Sequence, residues 1–207
     1  TGDPERDRRH NPLTWPGEID TFTQPHIQLL HDVELAPGTQ LSQVFYHFRG
    51  DGHYEQYKEN RWLVEYDLPP GTLPDGSPAP RSDLVRRRTV EEHDTGWVPK
   101  LTRTAGDWTW TLGGEARLHE AHHVGEVRWA EHYPAGVDPD HRYYDYRVDK
   151  HTLALQATAA WRASDRVTLT GGLQGTRHEY RMHDDELKGV ELEERFSFLL
   201  PRLGAVV

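Results

Sequence analysis

The sequence predicts an all-β fold, specifically an antiparallel up-and-down transmembrane β-barrel segment of about seven long strands. Three observations lead to this prediction. Apolar and polar residues alternate over several long windows, tight turns and long polar connections follow one another in strict order, and no stretch shows a convincing helical period. We expect the short turns on the periplasmic side and the long loops on the extracellular side.

Composition excludes several classes of protein. The formal net charge of −10 over 207 residues argues against a nucleic-acid partner, because phosphates are neutralised by basic patches. The chain has no cysteine, which excludes disulfides, thiolate metal sites and cysteine nucleophiles. Mean hydropathy is −0.86, too low for a thick soluble core but typical of a barrel with one lipid face and one polar face.

Alternation is clearest in the second half of the chain. Four windows place apolar or small residues on one parity and mainly Thr, Gln, Arg, Glu or His on the other: 108–118, 151–161, 167–176 and 195–207. In the last of these, one face is formed by Leu199, Leu203, Ala205 and Val207. Each window therefore predicts a strand with one apolar face.

Three further strands are predicted in the first half, at 19–33, 41–57 and 86–104. Pro25 lies inside the first of them and removes one hydrogen-bond donor from its ladder. In each of these strands the apolar residues are spaced two residues apart, or a multiple of two, and so share one face. They are Ile27, Leu29 and Val33 in the first strand, Val44, Tyr46, Phe48 and Tyr54 in the second, and Trp97, Pro99 and Leu101 in the third.

The connections alternate between two kinds. Tight turns are predicted at 36–39, 105–107 and 163–165, and long polar loops at about 58–84, 130–142 and 183–194. Strand periods of about 15–18 residues exceed the usual 5–6 of soluble sheets and suit tilted strands that cross a bilayer. This order of short and long connections is typical of an outer-membrane barrel.

Aromatic residues lie at both ends of the predicted strands. One group, beside the short turns, is Trp108, Trp110 and Trp161; the other, toward the long loops, is Tyr143, Tyr144, Tyr146 and Tyr180. They predict two interfacial aromatic girdles. A soluble sandwich with tryptophans as core anchors is the alternative interpretation.

Several stretches resemble TonB-dependent outer-membrane receptors: IDTFTQPHIQLLHD at 19–32 followed by FYHFRGDGHYEQY at 45–57, WRASDRVTLTGGLQ at 161–174, and FLLPRLGAV at 198–206. These are loose barrel patterns that recur in order over most of the chain. The resemblance implies a barrel of about 22 strands with an N-terminal plug domain. Such receptors import scarce nutrients such as ferric siderophores, haem or cobalamin with energy relayed by the inner-membrane TonB complex.

The resemblance implies location in the outer membrane of a Gram-negative bacterium, with a ferric siderophore or similar metal chelate as the substrate. Expected partners are the rest of the barrel and its plug domain, the TonB complex, the chelate and membrane lipid. We expect no bond chemistry, no catalytic residue and no cofactor, and no ligand-binding residue can be assigned. No plug, TonB box, signal peptide or C-terminal aromatic strand is recognised, so residues 1–207 are expected to be a fragment of the barrel domain.

A competing motif lies at 119–123, where His119, Glu120 and His123 match the H-E-x-x-H pattern of zinc hydrolases. The motif requires a helix that places both imidazoles on one face, with Glu126 or Glu131 as a third ligand. On a strand the two histidines would lie about four rises of 3.3 Å apart, too far for one ion. A soluble zinc metallohydrolase is therefore one alternative function, and a passive porin-like barrel is another.

Three polar clusters remain. The histidines near a long loop are His122, His123, His132 and His141, and although they could contact a metal chelate, we expect exposed histidines without that role. The run Arg86 to Arg88 could attract an anionic ferric complex, but we expect a charge cluster at a loop edge. The run Asp184 to Glu186 is expected to be a solvated loop.

Overall fold

A computed structural model describes residues 2–9, 15 and 17–207 of the chain. The fold is all-β and antiparallel, as the sequence predicts. The long strands are β1 (Ile19–Thr23), β2 (His26–Ala36), β3 (Thr39–Trp62), β6 (Arg81–Ala105), β7 (Trp108–Ala130), β8 (His141–Arg162), β9 (Thr168–His183) and β10 (Leu192–Val206), and a small hairpin is made by β4 (Gly71–Thr72) and β5 (Pro78–Ala79). No helix among the described residues is long and apolar enough to span a membrane.

One sheet contains eight strands, in the order β1-β3-β6-β7-β8-β9-β10, with β2 also paired to β3. Consecutive long strands from β6 to β10 are neighbours, which is the up-and-down arrangement that the turns predict. No pairing joins β1 to β10 within the described chain, so the sheet is not closed by these residues.

The predicted strand at 19–33 is divided in two. Strand β1 ends at Thr23 and β2 begins at His26, and both pair with β3. Pro25 lies in the gap, where its carbonyl accepts the Arg49 N–H at 3.3 Å although it has no N–H to donate. The main sheet therefore has eight strands among the described residues, where about seven were predicted.

The alternation of short and long connections is confirmed. The gaps at 37–38, 106–107 and 163–167 are short, and those at 63–80, 131–140 and 184–191 are long. Several strands extend beyond the predicted windows because their ends carry mixed polar residues that lose the simple alternation. A short helix, α1 (Pro4–Arg9), was not predicted; the Asp3 carboxylate accepts the Glu5 N–H at its start, at 3.0 Å.

The chain divides into two compact units. Unit 1 comprises Thr1–Phe22, Gly52–Thr89 and Val124–Asp145; unit 2 comprises Thr23–Asp51, Val90–His123 and Tyr146–Val207. Unit 1 has a small hydrophobic core, formed by Leu63, Tyr66, Leu68, Leu84, Val127, Ala130 and Tyr143. Three of these seven residues, Leu63, Tyr66 and Leu68, come from the long connection at 63–80, which therefore packs as ordered structure.

The connection at 63–80 folds back on itself. It begins with a 3-10 turn (Leu63–Tyr66) and closes where the Leu63 N–H donates to the Pro80 carbonyl at 3.0 Å. Gly71 of the β4 strand approaches the His132 carbonyl so closely that a Cβ at position 71 would overlap it. Only glycine allows the two long connections of unit 1 to touch at this point.

We expect Gly71→Ala to separate these two connections and expose the buried Tyr66 and Leu68 to chymotrypsin. The measurement is the rate of nicking within 63–80 in the native protein. Gly175→Ala is the matched control, because a Cβ at position 175 meets nothing within 4 Å. Equal nicking rates for the two variants would contradict the close contact at Gly71.

The Asp185 carboxylate organises the connection between β9 and β10. It accepts the N–H groups of Lys188 at 3.0 Å, Leu187 at 3.2 Å and Val190 at 3.3 Å. These hydrogen bonds, that of Lys188 above all, lower the pKa of Asp185 against a smaller opposing effect of desolvation. The run Asp184 to Glu186 is therefore an ordered turn and not only a solvated loop.

Because hydrogen bonding lowers the pKa of Asp185, its carboxylate stabilises the turn fully at pH values above the ordinary pKa of Asp. This stabilisation is lost as the pH falls through the lowered pKa. We expect the amides of Leu187, Lys188 and Val190 to be protected from hydrogen exchange at neutral pH, and to lose protection in acid after correction for the intrinsic rate. Asp185→Asn should remove the protection at neutral pH, whereas Glu186→Gln should not. Unchanged protection in Asp185→Asn would show that the carboxylate does not hold the turn.

Candidate functional site

Strands β8, β9 and β10 of unit 2 present a continuous apolar surface on one side, called here the apolar face. Residues directly opposite one another on antiparallel strands lie on the same face. Four successive rows of this kind are Trp161, Leu169 and Ala205; Ala159, Gly171 and Leu203; Ala157, Leu173 and Pro201; and Leu155, Gly175 and Leu199. The four rows contain no polar side chain.

Side chains of this face are exposed although they are apolar. The exposed fraction is 62% for Leu155, 68% for Leu199 and 93% for Leu203. A contiguous exposed apolar surface of this kind marks contact with another apolar medium or molecule.

Charged rows follow directly on the same face. They are Leu153, Arg177 and Ser197; His151, Glu179 and Arg195; and Asp149, Arg181 and Glu193. Arg177 and Glu179 form an ion pair at 2.7 Å, and Arg195 pairs with Glu193. From Leu169 to Arg177 the strand rises by about 26 Å along its own axis, which at a tilt of about 35–45° spans about 20 Å of the apolar band, about 25 Å tall, of outer-membrane barrels.

The apolar face continues across the other strands of unit 2. Trp108 of β7 stacks on Trp161 of β8 at 5.7 Å between ring centroids, and Phe45 of β3 stacks on Trp97 of β6 at 5.9 Å. Between these strands lies a groove of about 540 Å³, whose apolar lining includes Phe45, Trp97, Leu118 and Leu153. The tryptophans at 108, 110 and 161 lie beside short turns, as predicted.

The opposite side of unit 2, called here the polar face, carries a buried ion cluster. Asp94 of β6 is 0% exposed, and its Oδ2 accepts Arg117 Nε at 2.7 Å and approaches His119 Nδ1 at 3.2 Å. Its Oδ1 makes no hydrogen bond of normal geometry with the described residues. A buried carboxylate is stable only with such partners, so the cluster ties β6 to β7.

Further polar contacts join the polar face across β8 and β9. The Thr152 hydroxyl and His178 Nδ1 lie 2.9 Å apart, and Gln156 lies against Gly113 of β7. Gly96 leaves room for the Tyr46 ring, which a Cβ at position 96 would overlap. The polar face is therefore a connected layer of hydroxyl, amide, imidazole and ionic groups.

The residues of β3 that the sequence assigned to the apolar side, Tyr46 among them, lie on the polar face. Tyr46 lies over Gly96, beside Asp94 on β6, whereas Phe45 of the other parity joins the apolar face through Trp97. The register with β2 places Leu29 opposite Phe45 and Val33 opposite Leu41, so the parity predicted for β2 is on the apolar face. Because β3 carries aromatic residues on both of its sides, the sequence alone does not show which side is the apolar one.

The H-E-x-x-H motif does not form a zinc site. His119, Glu120 and His123 all lie in strand β7, so the two histidines are about 13 Å apart along the strand. His119 contacts Asp94, and His123 stacks on Tyr146 at 5.2 Å between ring centroids. The helix that a zinc site requires is absent from this segment, and the described residues contain no group of three or more metal-binding side chains.

Neighbouring groups can be named for the two possible third ligands and for two of the loop histidines. Glu126 lies 3.9 Å from both Arg128 and Arg142. His132 Nε2 lies 3.8 Å from Glu131, and the backbone N–H of His141 donates to the Tyr133 hydroxyl at 3.3 Å, whereas His141 Nε2 is buried without a hydrogen-bond partner among the described residues.

The interpretation of Arg86 to Arg88 as a loop-edge cluster is wrong. All three lie within strand β6, inside unit 1, and are partly buried. Arg87 donates from both Nε and Nη2 to Glu55, at 2.8 and 2.6 Å. The predicted strand began at 86, which placed the run at its loop end, whereas β6 begins five residues earlier at Arg81.

The second predicted aromatic girdle is also wrong for two of its members. Tyr143 is buried in the core of unit 1, where it packs on Tyr66 at 4.9 Å. Tyr180 lies on the polar face, at 5.9 Å from Phe196 and near Lys150. The apolar Phe196 and Phe198 of the polar face were missed, because the last strand was assigned by its other parity.

We expect Asp94→Asn to lower the free energy of unfolding by about 1 to 3 kcal/mol, because Arg117 and His119 lose their carboxylate partner. The measurement is urea-induced unfolding of the native protein followed by tryptophan fluorescence. Asp107→Asn, which breaks the exposed pair with Arg162, is the control and should change stability little. A change for Asp94→Asn no larger than the control would contradict the structural role of the cluster.

Comparisons with known proteins support the fold. No family model and no curated protein sequence matches the chain. Among solved structures, the chain is similar to BauA, the ferric preacinetobactin receptor from Acinetobacter baumannii, with a TM-score of 0.52 and 10% sequence identity. The match covers 87% of this chain and 27% of the receptor, so the chain spans about a quarter of that protein's length. The chain therefore shares an all-β fold with part of that structure.

Proposed function

We propose that the chain is part of the barrel wall of a TonB-dependent receptor in the outer membrane of a Gram-negative bacterium, and that the receptor takes up a ferric siderophore or a similar metal chelate. The apolar face of unit 2 contacts lipid, and the polar face lines the lumen. The rest of the barrel, a plug domain and the inner-membrane TonB complex are the partners. No bond is made or broken by this segment.

The observation that carries the proposal is the inverted burial in unit 2. A soluble protein buries its apolar side chains and exposes its charges, but here Leu203 is 93% exposed while Asp94 is 0% exposed. Lipid outside and a polar lumen inside would satisfy both surfaces at once. In water this uncovered face would leave the four apolar rows exposed, at a large hydrophobic cost.

Two further observations support the proposal. Short and long connections alternate around a meander of long strands, as in outer-membrane barrels. The similar structure is named a ferric preacinetobactin receptor, and the present chain matches its fold over 87% of its own length. We infer the iron chelate as substrate, and the coupling to TonB, from this structural similarity and from the resemblance of the sequence to TonB-dependent receptors.

Uptake of iron tests this proposal against the passive porin alternative. The probe is radioactive iron bound to the chelators recovered from iron-starved cultures of the source bacterium. We expect removal of the protein to abolish uptake, and a protonophore to abolish uptake in cells that retain the protein. Uptake that survives the protonophore would favour the porin, and uptake that survives removal of the protein would overturn both functions.

A charge on the apolar face tests which side meets lipid. We expect Leu155→Arg to reduce the amount of folded protein in the outer membrane, because an Arg facing lipid near the bilayer midplane costs about 2–4 kcal/mol. Gln156→Arg, the next residue on β8, points to the polar face and is the matched control. The measurement is the heat-modifiable band on gels of isolated membranes, and equal bands for both variants would contradict the assignment of the faces.

A further inference from the structure

Two cavities adjoin on the apolar face of unit 2, where the apolar rows end and the charged rows begin. The first is the groove of about 540 Å³ described above. The second, of about 240 Å³, lies among the charged rows, and its lining includes Asp149, His151, Glu179, Arg181, Glu193 and Arg195. His151 and Glu179 line both cavities, so together these form a site with one apolar end and one charged end.

The apolar end has the size and the lining of a ligand site. Ala116 of β7 is the smallest of its apolar side chains, and the larger ones beside it include Phe45, Trp97, Leu118 and Leu153. A volume of about 540 Å³ lies within the range of about 300–1,000 Å³ that is typical of small-molecule sites. Because the proposed function places this face in lipid, the apolar occupant of the groove is a hydrocarbon chain.

The charges beyond the groove follow a definite order along the strands. The first charged side chain after the apolar rows is Arg177, in one row with Leu153 and Ser197. The carboxylates begin one row farther on, with Glu179, and the row after that contains Asp149 and Glu193. A positive charge therefore lies nearest the groove, and all three carboxylates lie beyond it.

A zwitterionic phospholipid presents complementary charges in the same order. In phosphatidylethanolamine an anionic phosphate follows the acyl chains, and an ammonium group follows the phosphate across a short link. Arg177 donates from Nε and Nη2 to Glu179 at 3.0 and 2.7 Å, and these bonds leave the N–H groups of Nη1 for a phosphate oxygen. The Glu193 side chain is 56% exposed, so its carboxylate is accessible to an ammonium group.

We propose that this site binds phosphatidylethanolamine, with one acyl chain in the groove, the phosphate on Arg177 and the ammonium among Glu179, Glu193 and Asp149. The inference rests on the proposed function, since it requires the apolar face to lie in a membrane. It adds a specific lipid partner to what would otherwise be uniform contact with lipid.

The first test measures which lipid the purified full-length protein prefers in detergent. The probes are phosphatidylethanolamine, phosphatidylglycerol with the same acyl chains, and lipopolysaccharide, and the measurement is the rise in melting temperature with each. We expect phosphatidylethanolamine to give the largest rise. A larger rise with either of the other lipids would overturn the zwitterionic occupant, and equal rises with all three would overturn the site in favour of non-specific lipid contact.

Reversal of the charge order tests the headgroup end. Arg177→Glu combined with Glu179→Arg keeps opposite charges at the two positions but places the negative one beside the groove. We expect phosphatidylethanolamine to bind about tenfold more weakly, because the hydrogen bond from Arg177 to the phosphate is lost. The measurement is titration followed by native mass spectrometry.

Asp107→Arg combined with Arg162→Glu is the matched control, because it reverses an exposed ion pair elsewhere in unit 2. This control should keep the wild-type affinity. Wild-type affinity in the variant of positions 177 and 179 would show that the charge order does not select the lipid, and would overturn the proposal.

Filling of the groove tests the apolar end without adding charge. We expect Ala116→Phe to weaken the binding of phosphatidylethanolamine while the protein still folds in the outer membrane, since the acyl chain loses its place. Ala159→Phe adds the same ring to the apolar face outside the groove and should retain the binding. Equal binding by the two variants would contradict a chain in the groove.

Failure of the site and failure of the proposed function give different results. Loss of the lipid preference from a wild-type protein that lies in the outer membrane and supports iron uptake would overturn the site alone. Recovery of the protein from the soluble fraction, with no lipid raising its melting temperature, would overturn both.

Discussion

The period of two along a β-strand is the constraint on which the rest of the structure depends. Successive side chains point to opposite sides of the sheet, so each strand of unit 2 can present Leu, Trp or Ala to one medium and Thr, Gln or Arg to another. Backbone hydrogen bonds between neighbouring strands satisfy the main chain without water, which a wall in contact with lipid requires. The register between β8, β9 and β10 then aligns the apolar residues into continuous rows bordered by charged ones.

Much of this architecture can be read from the sequence because alternation and turn chemistry are local signals. The alternation at 151–161 predicted β8 and its apolar side, and the contrast between tight and long connections predicted the up-and-down order. The secondary structure of this segment also determines whether His119 and His123 can bind one metal ion. A strand separates the two residues, whereas a helix would bring them together. The sequence shows that Pro25 lacks a backbone N–H donor and so weakens the strand there. That β1 and β2 both pair with β3 depends on long-range contacts, which the sequence does not show.

Most features that the sequence did not reveal depend on contacts between distant segments. The core of unit 1 joins Leu63 and Tyr66 of a long connection to Tyr143 of β8, and no periodicity encodes such a contact. The same holds for the ion cluster, where Asp94 becomes informative only when β7 brings Arg117 beside it. The same holds for Arg87, whose pairing with Glu55 of β3 depends on the neighbouring strand.

The central claim is that the apolar face of unit 2 lies in an outer membrane. It is tested most directly by fractionating native cells and probing each fraction with an antibody against residues 66–83, with heated and unheated samples compared. The account predicts a band confined to the outer-membrane fraction that changes mobility on heating, as folded barrels do. A band in the soluble fraction whose mobility is the same before and after heating would contradict it.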